Sequence, residues 1–207
     1  MGMPSLVMKA TANPNAVRYL YPDNLLDYDL IKYERGGIAV GDGTQGINGW
    51  TWTSQYEPLT GDVRLLNIET GISYLVFTLL GIFVLDFAFD SNMRPVVVYE
   101  LEDGSAYYRW FDPTINNYTT TTLPAGTLTP RCCHDDKRSI GQSQNYSDVL
   151  IFYVLDNKVY NRIQRERYLQ SHQVATLTPG ATLKRVGMCT DLRIRIEIDN
   201  GTLISSP

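Results

Sequence analysis

The order of apolar and polar residues predicts short β-strands along most of the chain. In residues 86–112 (DFAFDSNMRPVVVYELEDGSAYYRWFD), three runs rich in β-branched and aromatic residues are separated by two turns. The second turn contains Asp103 and Gly104, a pair that supplies the positive-φ position of a tight hairpin. No window has the spacing of a long amphipathic helix. The stretch therefore predicts a three-stranded β-meander.

The most hydrophobic segment, residues 72–85 (ISYLVFTLLGIFVL), is predicted to form a pair of core strands. It is too short to span a membrane, and β-branched and aromatic residues dominate it. Gly81 divides it into two strands of the length expected in a sheet that is buried on both faces. Residues 117–123 (NYTTTTL) instead suit an outer or edge strand, because consecutive threonines leave both faces semi-polar.

The meander has a second copy further along the chain. The matching segments are 96–101 with 150–155, 106–109 with 159–162, and 127–138 with 182–193. A period of about 54 residues, built of four short strands, is typical of propeller blades. The predicted fold class is therefore all-β, with four-stranded antiparallel blade-like meanders that form either a propeller-like ring or open stacked sheets.

The repeat divides the chain into an extended N-terminal arm, residues 1–35, and an all-β repeat domain, residues 36–207. Residues 44–85 read as a divergent unit and residues after 182 as a partial one, which is too few clear blades to close a ring. Either the units stack openly or several subunits share blades, so we expect a homo-oligomer. Tyr19 and Tyr21 make the arm too apolar for a disordered tail and are candidate contacts with a neighbour.

Charge restricts the choice of partners. The chain of 207 residues has a net charge of −4, which argues against electrostatic binding of nucleic acid. Residues 1–130 carry 7 basic and 14 acidic side chains, and residues 131–195 carry 11 and 6, giving balances of −7 and +5. This unevenness is either a solvated surface property or a sign of head-to-tail assembly. Three cysteines and no signal peptide suggest folding in a reducing cytosol.

Residues 132–136 (CCHDD) resemble a metal cluster, but adjacent strand residues point to opposite faces, so Cys132 and Cys133 cannot easily share an ion. Four carboxylates form a candidate acid–base set. They are Glu100, Glu102, Asp103 and Asp112. Three of them sit at or beside a turn, where solvated charge is normal. We therefore expect no catalytic, metal or cofactor site.

Two aromatic groups are candidate binding surfaces. The first is a glycan platform formed by Trp50, Trp52 and Trp110, with cross-strand core packing as the alternative. The second is a basic and aromatic patch formed by Tyr160, Arg162, Arg165, Arg167 and Tyr168. This patch suits a solvated face or a protein–protein contact. It suits nucleic acid less well, because Glu166 and the net negative charge of the chain oppose phosphate binding.

Several phrases resemble a family of structural proteins from tailed double-stranded DNA bacteriophages. The phrases are DFAFDSNMRPVVVYE, YYRWFDPTINNY, HDDKR, SDVLIFYV and YNRIQRERY, within roughly residues 60–195. The run Cys132-Cys133-His134 departs from the family pattern, in which a more ordinary strand stands there. The resemblance implies a non-enzymatic virion component of the tail or tail tip, made in the host cytoplasm, that contacts other tail proteins.

The resemblance carries over no catalytic residue, and we expect neither nucleic-acid binding nor membrane insertion. The alternative expectation is a carbohydrate-binding, propeller-like module that helps the tail attach to a host-surface glycan. An enzyme acting on envelope sugar is the least supported reading.

Overall fold

The computed structural model describes residues 17–18, 20–21, 38–41, 50–67, 70–90, 92, 94–136, 147–189 and 194–206. These residues form strands β1 to β17, and the one helical element in this part of the chain is a 3-10 turn at Gln164–Glu166. The predicted all-β class is confirmed for the described residues. They include no helix that is long and apolar enough to cross a membrane.

The strands form four sheets, named here by their order along the chain. The first sheet comprises, in spatial order, β1 (Val17–Arg18), β3 (Ile38–Gly41), β4 (Trp50–Glu57), β5 (Asp62–Asn67) and β6 (Ser73–Thr78). The second comprises β10 (Asn117–Thr122), β9 (Ala106–Asp112), β8 (Pro95–Leu101) and β7 (Ile82–Phe89). The third comprises β11 (Leu128–Asp136), β12 (Ser147–Leu155), β13 (Lys158–Ile163) and β14 (His172–Thr176). The fourth comprises β17 (Leu203–Ser206), β16 (Ile194–Ile198), β15 (Leu183–Cys189) and β2 (Leu20–Tyr21).

The predicted meander of residues 86–112 corresponds to β7, β8 and β9, which are antiparallel neighbours. The turn between β8 and β9 contains Gly104 at φ +79°, as the Asp-Gly pair predicts. The N–H of Leu101 donates to the carbonyl of Ser105 at 2.8 Å and closes this turn. The threonine-rich strand β10 pairs only with β9 among the described strands, so the prediction of an edge strand is confirmed.

The second and third sheets pack against each other, and each has a further sheet beyond it. In β8, Val97 and Tyr99 belong to one core cluster and Val96 and Val98 to another, so both faces of the strand are buried. The cluster of Val96 and Val98 joins the second sheet to the third, and it includes Ile151 of β12. This double burial explains why these strands are apolar throughout instead of alternating.

The first strands of successive sheets lie side by side and are joined by hydrogen bonds. Asp86 of β7 accepts from the N–H of Cys132 in β11 at 3.2 Å. Glu100 of β8 accepts from the N–H of Thr129 in β11 at 2.8 Å, and the Thr129 hydroxyl accepts from the N–H of Leu183 in β15 at 3.0 Å. These bonds join the second sheet to the third and the third to the fourth.

The segments that match in sequence occupy equivalent places in their sheets. Residues 96–101 and 150–155 lie in β8 and β12, the second strands of the second and third sheets. Residues 106–109 and 159–162 lie in the third strands, β9 and β13. The described parts of 127–138 and 182–193 include β11 and β15, the first strands of the third and fourth sheets. The matching segments thus lie in corresponding strands of the second, third and fourth sheets.

The prediction that residues 72–85 form two core strands is wrong for its first half. β7 is largely buried, but β6 is the outer strand of the first sheet and is mostly exposed. The second sheet covers only part of the face that β6 presents to it. A run of apolar residues has no period that distinguishes a doubly buried strand from an exposed apolar one.

Two short strands come from the predicted N-terminal arm. β1 pairs with β3 in the first sheet, and β2 pairs in parallel with β15 in the fourth. Only Tyr19 separates these two strands. The remainder of residues 1–35, including Tyr19, lies outside the described residues.

Candidate functional site

Large apolar side chains are exposed on and near the outer strand of the first sheet. Six of them lie in or beside the segment 72–83 and form what we call the apolar strip. They are Leu59, Ile72, Tyr74, Leu75, Leu80 and Phe83. Leu59 is 90% exposed and Phe83 is 73% exposed. Exposure of so many large apolar side chains within a short stretch is consistent with an interaction site.

Backbone contacts hold Leu59 beside the rest of the strip. The turn that carries Leu59 ends at Gly61, whose carbonyl accepts from the N–H of Leu79 at 2.8 Å. Gly61 has φ +77°, and a Cβ atom on it would lie 2.8 Å from the carbonyl carbon of Leu79. Any other residue at position 61 would therefore push this turn away from the end of β6.

β6 lacks the features with which edge strands avoid pairing. Its sequence, SYLVFT, contains no charged residue and no proline, and among the described strands it pairs only with β5. The register with β5 shifts so that Val63 opposes Phe77 and Arg64 opposes Leu75, which leaves Val76 as an extra residue. This bulge brings Leu75 and Val76 to the same opening.

A cleft of about 350 Å³ separates the outer part of the first sheet from the second sheet. Trp52 and Tyr74 line the side of the first sheet, with ring centroids 5.7 Å apart, and Phe89 of β7 lies 5.4 Å from Trp52. Trp52 is 7% exposed, and its Nε1–H has no acceptor among the described residues. The walls of the cleft are therefore mainly apolar and aromatic, and the indole N–H of Trp52 is buried behind them.

Arg109 of β9 provides the positive charge of the cleft. Its guanidinium lies 5.2 Å from the ring centroid of Tyr118 and 5.8 Å from that of Phe77. Nη1 donates to the Thr120 hydroxyl at 3.4 Å, and Nε has no acceptor in the described part of the chain. No carboxylate of the described residues forms an ion pair with Arg109. Among the described residues, its guanidinium contacts two aromatic faces and one hydroxyl.

The predicted basic patch is used largely within the chain. Tyr168 is completely buried, packs edge-on against Tyr108 and Trp110 of the second sheet, and has a pKa raised well above 10 by burial. The prediction that Tyr168 contacts a partner is therefore wrong for its side chain. Arg167 forms an ion pair with Asp112 of the second sheet at 2.8 Å. This basic residue of residues 131–195 thus pairs with the acidic part of the same chain.

The other predicted contact residues have local partners or undescribed side chains. Arg165 pairs with Asp148 at 3.0 Å, and Arg162 donates to the Ser171 hydroxyl at 3.0 Å. Tyr21 lies in β2, but its side chain is outside what the structure describes. Whether these residues contact a partner stays a prediction.

The three tryptophans do not form one glycan platform. Trp52 and Trp110 are buried and belong to separate core clusters. The side chain of Trp50 lies outside the described residues. The two described indoles serve as packing residues, because the sheets on either side cover their faces.

The predicted cysteine and carboxylate groups are packed or hydrogen-bonded within the fold. Cys132 and Cys133 are buried in different core clusters, which agrees with their opposite directions on a strand. Within the described ranges, no three His, Cys, Asp or Glu side chains are placed to hold a metal ion. Asp103 bonds to Ser105 in its own turn, and Asp112 bonds to Thr114.

Comparisons with known families leave the chain unassigned. No family model matches it, and no curated protein matches it.

The strip and the cleft were not predicted as a site. Residues 72–85 were predicted only as core strands, and Arg109 and Tyr118 were not predicted as binding residues, although both lie in the phrase YYRWFDPTINNY. The available signal was the complete lack of charge from residue 70 to residue 85. An edge strand that lacks charge and also exposes several large apolar side chains is unusual unless a partner covers it.

The buried carboxyl of Glu100 predicts a specific pH dependence. Burial raises its pKa above the ordinary value of 4.5, against the lowering effect of the Thr129 N–H and of Arg131. Because its pKa is raised in the folded state, Glu100 stabilises the folded protein when its carboxyl is protonated. This stabilisation is lost as pH rises through the folded-state pKa. In Glu100→Gln, which keeps an acceptor for Thr129, this loss is absent.

We therefore expect the free energy of unfolding of Glu100→Gln to rise relative to that of the natural protein between about pH 4 and pH 7. Urea unfolding at several pH values measures this difference. A difference that is independent of pH would show that the Glu100 carboxyl does not titrate differently in the folded state.

Proposed function

We propose that this protein is a non-enzymatic structural component of a tailed-phage virion, in the tail or tail tip, that acts through protein–protein contacts. The apolar strip is the observation that carries the assembly role, since each of its six large apolar side chains is more than half exposed. The resemblance of residues 60–195 to tail structural proteins supports the virion setting. Burial of Trp52 and Trp110 gives the glycan-binding alternative no support.

The energetic reason for assembly is the cost of leaving the strip in water. Tyr74 and Leu75 are 53% and 52% exposed, and Leu80 and Phe83 are more exposed than that. Covering each such side chain contributes about 1 kcal/mol or more to association. A handful of them, together with pairing of the free edge of β6, is enough to offset the entropy lost in a multivalent assembly.

We propose in addition that the four sheets are blades of a propeller-like ring closed within one chain. Neighbouring sheets contact through their first strands, as blades do. The second and third sheets each have one face that is turned away from the other sheet. Residues on both of these faces belong to the same core cluster. In an open stack, four sheets form three separate interfaces. In a closed ring, the first and fourth sheets also contact each other.

The segment of residues 17–21 also favours closure, since β1 extends the first sheet and β2 the fourth within five residues. If these strands connect the two sheets, removal of residues 1–21 lowers the midpoint of thermal unfolding by several degrees. Differential scanning calorimetry of the full and shortened chains measures this. An unchanged midpoint would argue that the ring, if formed, closes without these strands.

Assembly through the strip predicts an unequal response to two matched substitutions. Leu75 on the edge strand β6 and Leu203 on the edge strand β17 are 52% and 54% exposed. Leu75→Lys places a charge in the proposed interface and should weaken self-association or tail assembly at least about tenfold. Leu203→Lys should leave both unchanged.

Light scattering at micromolar concentration and complementation of a phage lacking the gene measure the two effects. Circular dichroism of both variants controls for folding. Equal behaviour of the two variants would remove the strip from the proposal. Absence of the protein from purified virions by mass spectrometry would remove the virion role itself.

A further inference from the structure

We infer that the free edge of β6 and the adjacent cleft dock an extended segment of a partner protein that carries an aromatic and an acidic side chain. The segment adds to the first sheet as a new strand and places its aromatic side chain in the cleft. This inference rests on the proposed structural role and specifies the chemistry of the partner.

The backbone of β6 supplies the first part of the site. An outer strand leaves alternate N–H and C=O groups unpaired, and an extended peptide can satisfy them by joining the sheet. No charge or proline on Ser73–Thr78 opposes this pairing. β-Strand addition provides affinity that depends little on side chains, so the cleft beside the edge provides the selectivity.

The walls of the cleft suit an aromatic ring. Trp52, Tyr74 and Tyr118 place aromatic surfaces around a space of about 350 Å³, beside the apolar side chains of Leu75 and Val76. Aromatic rings favour edge-on and offset contacts with one another. Trp52 already makes one such contact with Phe89, at an interplanar angle of 70°. A ring entering from the β6 side would extend this arrangement outward.

Charge complementarity determines the second side chain. Arg109 lines the cleft with no carboxylate partner among the described residues, and the Nε–H groups of Arg109 and Trp52 have no acceptor there. Arg109 is the one charged residue among the side chains that line the cleft, so a ligand that supplies a carboxylate complements it. A carboxylate two residues from the aromatic residue would point to the same side of an added strand.

Two other occupants fit less well. A sugar needs several paired polar groups around it, whereas the cleft is lined mainly by apolar side chains. A second copy of β6 could join the edge, but its sequence SYLVFT has no acidic residue for Arg109. Both alternatives are outcomes of the experiment below.

The probe is the peptide acetyl-Thr-Val-Thr-Phe-Thr-Glu-Thr-amide, titrated into the full-length protein labelled with ¹⁵N. The indole signal of Trp52, assigned with Trp52→Phe, reports on the cleft. We expect this signal to shift on addition of the probe. Replacing Glu by Gln in the peptide should weaken binding about fivefold, and replacing Phe by Ala should abolish it.

Two controls separate the parts of the site. In Arg109→Gln, the Glu and Gln peptides should bind with equal affinity, because the charge that distinguishes them is gone. Peptides methylated on alternate backbone nitrogens test strand addition, and methylation in one of the two alternate sets should abolish binding. Equal binding of both methylated peptides would rule out pairing with β6.

The inference is overturned if the probe fails to shift the Trp52 signal or if all the peptides bind alike. A shift caused by methyl glucoside alone, or tighter binding of a peptide copying residues 72–79, would overturn it in favour of a glycan or a second copy. If the peptides fail while Leu75→Lys still prevents assembly, the proposed function stands and only this site is wrong.

Discussion

The fold depends on the contact between the first strands of neighbouring sheets. β7, β11 and β15 lie side by side, and two buried carboxylates, Asp86 and Glu100, accept hydrogen bonds from backbone N–H groups of β11. The acceptors belong to the second sheet and the donors to the third. The hydrogen bonds therefore fix how the two sheets pack and how their strands align along each other. The strands beside this centre are buried on both faces, which accounts for their continuous apolar sequences.

Because neighbouring sheets contact each other through their first strands, the outer strands face solvent or partners. The outer strand of the second sheet, β10, is rich in threonine, which suits water on both faces. β6 occupies the corresponding place in the first sheet but has an apolar sequence. Tyr74 contacts Trp52, but Leu75 and Phe83 are apolar although they are more than half exposed. We therefore attribute their character to contacts with other proteins.

The sequence predicted the all-β class and the meander of β7, β8 and β9, because turn residues and β-rich runs are local signals. The Asp103-Gly104 turn, the edge position of β10 and the opposite directions of Cys132 and Cys133 all follow from such signals. Burial was predicted less well, since it depends on which sheet covers which strand. The exposure of β6, the burial of Tyr168 and the cleft at Arg109 arise from contacts between sheets, and no spacing within one segment encodes them.

Hydrogen exchange tests the central claim most directly, because it reports on the backbone of β6 in the free and the assembled protein. If β6 is the assembly edge, amides within Ser73–Thr78 exchange much more slowly in the assembled tail or oligomer than in the isolated chain. The edge strand β17 at Leu203–Ser206 serves as the internal reference and should exchange equally in both. Unchanged exchange in β6, with protection appearing elsewhere on the surface, would contradict the account.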